Sequence, residues 1–112
     1  MVVENKPGAG TQVGTQFVAS QPADGYTLLL TSGTIAISPS LFSRLGYDTF
    51  RDFAPVTLLA TVPNVLVVHP SVPARSLNEL VKLARAHPGK LNFGSGGVGS
   101  GSQLGSELFK TL

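Results

Sequence analysis

The chain has 112 residues, of which 42% are hydrophobic and only 12% charged, with 13 glycines and 8 prolines; that balance argues against a disordered segment and for a folded, turn-rich protein with a modest core. Eight Lys and Arg against six Asp and Glu leave a net charge of +2, and the basic residues are spread along the chain rather than clustered as a nucleic-acid footprint would be. Cysteine is absent, which removes disulfides and thiolate metal sites, and no apolar run reaches the length of a membrane span, so direct membrane insertion is not expected.

At the start, Met1-Val2-Val3-Glu4-Asn5 reads as a strand and carries no charged n-region, h-region or cleavage site of a signal peptide. Lys6-Pro7-Gly8-Ala9-Gly10 breaks it, and Val13, Phe17 and Val18 then fall at helical spacing, with Thr11 as candidate cap. Gln21-Pro22-Ala23-Asp24-Gly25 ends that helix with turn chemistry. Tyr26-Thr27-Leu28-Leu29-Leu30-Thr31 is a short continuous apolar run of the kind found in the middle of a parallel sheet. Ser32-Gly33-Thr34 follows directly, where open α/β sheets place ligand loops.

Ser38-Pro39-Ser40-Leu41-Phe42 predicts a short helical turn, and the connection from Gly46 to Phe53 crosses the surface, with Asp48 and Asp52 as solvated loop residues rather than a catalytic carboxylate pair. Val56-Thr57-Leu58-Leu59-Ala60 and Val65-Leu66-Val67-Val68 predict two strands separated by Pro63, which cannot donate to a central ladder. The crossing at Val62, Pro63 and Asn64 is the expected lobe boundary and hinge, with 1–62 in one lobe and 63–112 in the other. Ser76-Leu77-Asn78-Glu79 is a capping box; Leu77, Leu80, Val81 and Ala84 continue at helical spacing, and Pro88-Gly89 stops the run. Leu91-Asn92-Phe93 is the next strand, and Leu104, Leu108, Phe109 and Leu112 open a last amphipathic helix without a stop signal. Strands and helices alternate, so the expected fold class is α/β with mostly parallel strands. Both ends of the chain read as cut.

Between the last strand and the last helix lies Gly94-Ser95-Gly96-Gly97-Val98-Gly99-Ser100-Gly101-Ser102-Gln103. Glycines there let a partner approach main-chain N–H groups, and N–H groups at a helix start attract anions. Gly94, Gly96 and Gly99 spell G-x-G-x-x-G, the form of a dinucleotide fingerprint and the basis of an alternative reading as a small nucleotide-binding enzyme domain. The acidic residue that fingerprint needs about 20 positions on falls beyond the sequence. A Walker A loop fails because Ser100 stands where lysine is required. Serine nucleophiles lack an elbow motif and an evident base, and His69 and His87 read as surface or strand-end residues rather than metal ligands. On chemistry alone the stretch is either a serine-capped turn or a small-ligand loop.

Five blocks resemble one known family: Glu4-Asn5-Lys6-Pro7-Gly8-Ala9-Gly10, Pro22-Ala23-Asp24-Gly25-Tyr26-Thr27-Leu28-Leu29, Asp52-Phe53-Ala54-Pro55-Val56, Pro63-Asn64-Val65-Leu66-Val67-Val68-His69-Pro70 and Lys90-Leu91-Asn92-Phe93-Gly94-Ser95-Gly96-Gly97. Together they are similar to the Bug family, the substrate-binding proteins of tripartite tricarboxylate transporters. The blocks run the length of the chain in family order and correspond to an internal portion of a family member. The resemblance implies a periplasmic binding protein of type II-like fold, with two α/β lobes closing on a small carboxylate-bearing ligand that is passed to membrane transporter subunits. It implies no enzyme activity and no cofactor. Carried over by position, the first ligand loop falls on Thr31, Ser32, Gly33 and Thr34, and the second on Ser95, Gly96, Gly97, Gly99, Ser100, Ser102 and Gln103. Neutral N–H and hydroxyl donors can hold a carboxylate without a buried cation. Gln103 stands where family members often carry histidine. The first strand with its proline-glycine loop and the later half of the family pattern have no counterpart in the chain, so weak carboxylate binding or none is expected of it.

Overall fold

The structure is a computed structural model that describes residues 1–111. A 3-10 turn at Ala9–Thr11 leads into α1 (Gln12–Ala19), followed by α2 (Thr34–Leu41), α3 (Leu77–Ala86) and α4 (Gly101–Lys110). The predicted position of Leu112 on the last helix lies outside the described residues.

Each helix has a local cause. In α3, Ser76 Oγ accepts the Glu79 N–H at 3.2 Å, while the Glu79 carboxylate accepts the Arg75 N–H at 2.6 Å, one residue upstream of the usual capping-box donor. α4 repeats the device: Ser100 Oγ accepts the Gln103 N–H at 3.2 Å and Gln103 Oε1 accepts the Gly99 N–H at 2.7 Å. After α3, Gly89 takes φ +73°, the left-handed geometry that glycine adopts without steric cost. The start of α1 departs from expectation. Thr11 makes no side-chain cap and itself stands at φ 77°, while its carbonyl accepts the Thr15 hydroxyl at 3.0 Å.

α2 is longer than the predicted turn, beginning at Thr34 and carrying Pro39 inside it. Proline has no N–H, so the Ile35 carbonyl loses its helical partner. Thr49 Oγ1 replaces that donor at 3.1 Å and ties the polar connection to the helix. The connection is held by its own carboxylates. Asp48 Oδ1 accepts the Phe50 and Arg51 N–H groups at 2.9 Å, and Asp52 Oδ2 accepts the Asp48 N–H at 2.7 Å. Tyr47 and Phe53 meet edge to face with centroids 5.8 Å apart.

The expected sheet does not form among the described residues, and this corrects the parallel-strand reading of this chain. The apolar runs stay open to solvent: Leu28 is 68% exposed, Leu30 79%, Val65 78% and Val67 79%. A buried parallel strand is stable only with ladder partners on its edges and layers over both faces, and these runs have neither. Among the described residues, burial is limited to small patches containing Thr15, Thr34, Ser38, Tyr47, Ala74, Leu80 and Gly99. Consistently, the radius of gyration is 18.0 Å, against about 13 Å for a compact domain near this length. The 3-10 turn packs against α1 and α2, and the Gln16 side chain lies on Gly46.

Candidate functional site

The first candidate loop is built around hydroxyls. Ser32 Oγ and Thr34 Oγ1 are 2.8 Å apart, and the Ile35 and Ala36 N–H groups bond the carbonyls of Ser32 and Gly33 as α2 begins. Thr34 is only 6% exposed, and its carbonyl accepts the buried Ser38 hydroxyl at 2.8 Å. Ser32 and Gly33 are exposed. Thr31 Oγ1 is buried without a hydrogen-bond partner, a state that most buried polar atoms in folded proteins avoid.

The second loop is more committed to itself than the sequence suggests. Gly96 N–H donates to Ser102 Oγ at 3.0 Å and Gly99 N–H to Gln103 Oε1 at 2.7 Å. Ser100 N–H donates to the Gly97 carbonyl at 3.1 Å, and the Ser100 hydroxyl donates to the same oxygen at 2.7 Å. Gly97 N–H faces Ser95 Oγ at a long 3.5 Å. Neutral side-chain oxygens thus hold the donors an anion would use. The first two residues of α4, Gly101 and Ser102, have N–H groups without a partner inside the helix. Gly97 and Gly99 take φ +111° and +79°, conformations that favour glycine.

The two loops meet although they lie far apart in sequence. A Cβ placed on Gly99 would stand 3.1 Å from Leu41 Cδ1 and 3.7 Å from Thr34 Cγ2. One on Gly10 would stand 3.1 Å from the Val98 carbonyl oxygen. Asn64 joins from the crossing, its Nδ2 being 3.5 Å from the place a Gly101 Cβ would occupy. Gly10, Leu41 and Asn64 are absent from the residues expected at the loops. Gly10 had a signal in the Gly8-Ala9-Gly10 run, whereas Leu41 and Asn64 had none, because only the folded chain brings them to α4.

The arrangement sets glycine backbone against the side chains of Thr34, Leu41 and Asn64. Cavities of about 480 and 410 Å³ flank the start of α3, the larger beside His69, Arg75 and Glu79. There His69 Nδ1 accepts the Ser71 N–H at 3.2 Å and lies 2.8 Å from Ser71 Oγ. No group of three or more His, Asp or Glu side chains placed to hold a metal occurs among the described residues. No helix among them is long and apolar enough to cross a membrane.

Residues 1–112 match the family described as tripartite tricarboxylate transporter family receptor. Among curated proteins, the chain is 42% identical over 108 residues to the UPF0065 protein in the tcbD-tcbE intergenic region of Pseudomonas sp. (strain P51), covering 96% of the chain and 32% of that protein. It is 39% identical over 112 residues to Protein BugT of Bordetella pertussis, covering 98% of the chain and 34% of that protein. A UPF0065 protein of Bordetella pertussis is 41% identical over 114 residues, with 99% of the chain and 34% of that protein covered. The chain therefore spans about a third of the length of the curated relatives it matches. No solved structure matches it.

Proposed function

The chain belongs to the tripartite tricarboxylate transporter receptor family, and from that membership we propose that it contributes both ligand loops of a periplasmic solute-binding protein that hands a small carboxylate to membrane transporter subunits. In this reading the full-length protein folds as two α/β lobes with mostly parallel sheets, residues 1–62 lying in the first and 63–112 in the second, and the crossing at Val62, Pro63 and Asn64 serving as hinge. The protein binds and releases its ligand without transforming it.

The observation that carries the reading is the approach of Gly99 to Thr34, which sets the 31–34 and 95–103 loops side by side. Both loops offer hydroxyl and main-chain donors and no charged side chain, a donor set suited to a carboxylate. Thr31, Ser32, Gly33 and Thr34 face the ligand from one side, and Ser95, Gly96, Gly97, Gly99, Ser100, Ser102 and Gln103 from the other. The bonds from Gly96 to Ser102 and from Gly99 to Gln103 suggest how binding proceeds: a carboxylate oxygen takes over N–H groups that Ser102 Oγ and Gln103 Oε1 satisfy in its absence. The same bonds weigh against a nucleotide at Gly94, Gly96 and Gly99, because two of the three glycine N–H groups are spent on the loop's own side chains.

The test is calorimetry of a full-length receptor carrying this segment against succinate and citrate, with Ser102→Leu as the loop variant. Binding that the variant abolishes is the expected result. Equal affinity in both proteins would remove the second loop from the site, and binding of a dinucleotide in place of carboxylates would favour the nucleotide reading.

A further inference from the structure

We propose that Leu41 is a positioning residue for the second loop: together with Gly10 and the methyl group of Thr34 it forms a three-point seat, and the missing side chain at position 99 sets how closely the loops approach. Gly99 is buried, whereas the residues before it from 91 to 98 are exposed. Its burial comes from α2, since a Cβ there would meet Leu41 Cδ1 at 3.1 Å and Thr34 Cγ2 at 3.7 Å. The third point is main chain against main chain, with the Val98 carbonyl oxygen 3.1 Å from the Cβ position of Gly10. Carbon atoms prefer separations near 3.5 to 4.0 Å, so any side chain at 99 displaces Leu41 or lifts the loop.

Thr34 acts in the seat through its methyl group. Its hydroxyl is already shared with Ser32 at 2.8 Å, and the residue is 6% exposed. Leu41, by contrast, is 44% exposed and has room to swing away, so the loop's position is adjustable at that point and fixed at the Gly10 backbone. Two glycines elsewhere separate backbone strain from contact. Gly25 has φ +82°, close to the +79° of Gly99, and Gly89 has φ +73°, close to the +62° of Gly10, but a Cβ on either would meet nothing within 4 Å.

The experiment is methyl and amide NMR on a full-length receptor carrying this segment, with Gly99→Ala, Gly10→Ala, and the controls Gly25→Ala and Gly89→Ala. The expected result is a cross-peak between the Leu41 δ-methyl and Gly99 Hα in the parent, and shifts of the 95–103 amides in the Gly99 and Gly10 variants that neither control produces. In a Leu41→Ala background, Gly99→Ala should shift those amides less. A missing cross-peak, or the same Gly99→Ala response with and without Leu41, overturns the seat. The functional half rests on the two-loop carboxylate reading and is read separately. In a citrate-binding full-length receptor, Gly99→Ala should weaken binding more than Gly25→Ala, with partial recovery on adding Leu41→Ala. Intact geometry with no effect on citrate overturns the positioning role. Absence of citrate binding in the parent receptor counts against the carboxylate reading alone, and the seat then stands or falls on the NMR.

Discussion

Thr11 and Asp52 show how much single residues depend on their neighbours. Thr11 has the right chemistry for a helix cap, yet the glycine-rich turn before it forces φ to 77° and its side chain caps nothing. A β-branched residue in that conformation is strained. Thr11→Gly is therefore expected to stabilise α1 by about 1 kcal/mol, measured as slower amide exchange in that helix, and faster exchange would show that the threonine has a role in the turn. Asp52 is held below its ordinary value first by the hydrogen bond from the Arg51 guanidinium and then by the Asp48 N–H. Because the folded value is depressed, its contribution to the turn is present above the unfolded value and is lost as pH falls through the folded one. Arg51→Gln should move the Asp48 amide titration to higher pH, and an unchanged midpoint would show that the guanidinium bond does not persist in solution. The group lies in a surface turn, so the effect is local.

At the scale of elements, helices were legible wherever their ends are built from adjacent residues. The capping box of Ser76 and Glu79 announced α3, whereas α4 was expected from its apolar spacing at Leu104 and Leu108, and its Ser100 cap with Gln103 is seen only in the structure. α2 was foreseen only as a turn near Pro39, because its start at Thr34 has no side-chain cap and its missing hydrogen bond is supplied from Thr49, far along the chain. Thr49→Val removes that donor while keeping the shape. It should loosen α2 by about 1 kcal/mol, seen as roughly fivefold faster amide exchange; unaltered exchange would mean that water replaces the threonine without loss. The strands expected at the apolar runs form no sheet among the described residues, since pairing needs partners that no local pattern supplies.

For the whole molecule the decisive fact is apolar exposure. The runs around Leu28 and from Val56 to Val68 are open to solvent, and the chain spans about a third of its relatives' length. On its own the 112-residue chain should bind an apolar fluorescent dye strongly, unfold without a cooperative transition, and bind succinate or citrate weakly or not at all. Micromolar calorimetric affinity for either would show that these two loops suffice. A sharp denaturation curve would show a core larger than the patches around Thr15, Tyr47 and Leu80.

The sequence by itself determined the family, the capping serine that starts α3, the stop at Pro88 and Gly89, and the small-residue character of both loops, because each is written in neighbouring residues. Only the tertiary structure decided that Gly99 rests on Leu41 and Thr34, that Gly10 abuts Val98, and that Asn64 reaches α4. Those contacts join segments distant in the chain. Their spacing depends on atoms that glycine lacks, and the sequence records a missing side chain without showing what fills its place.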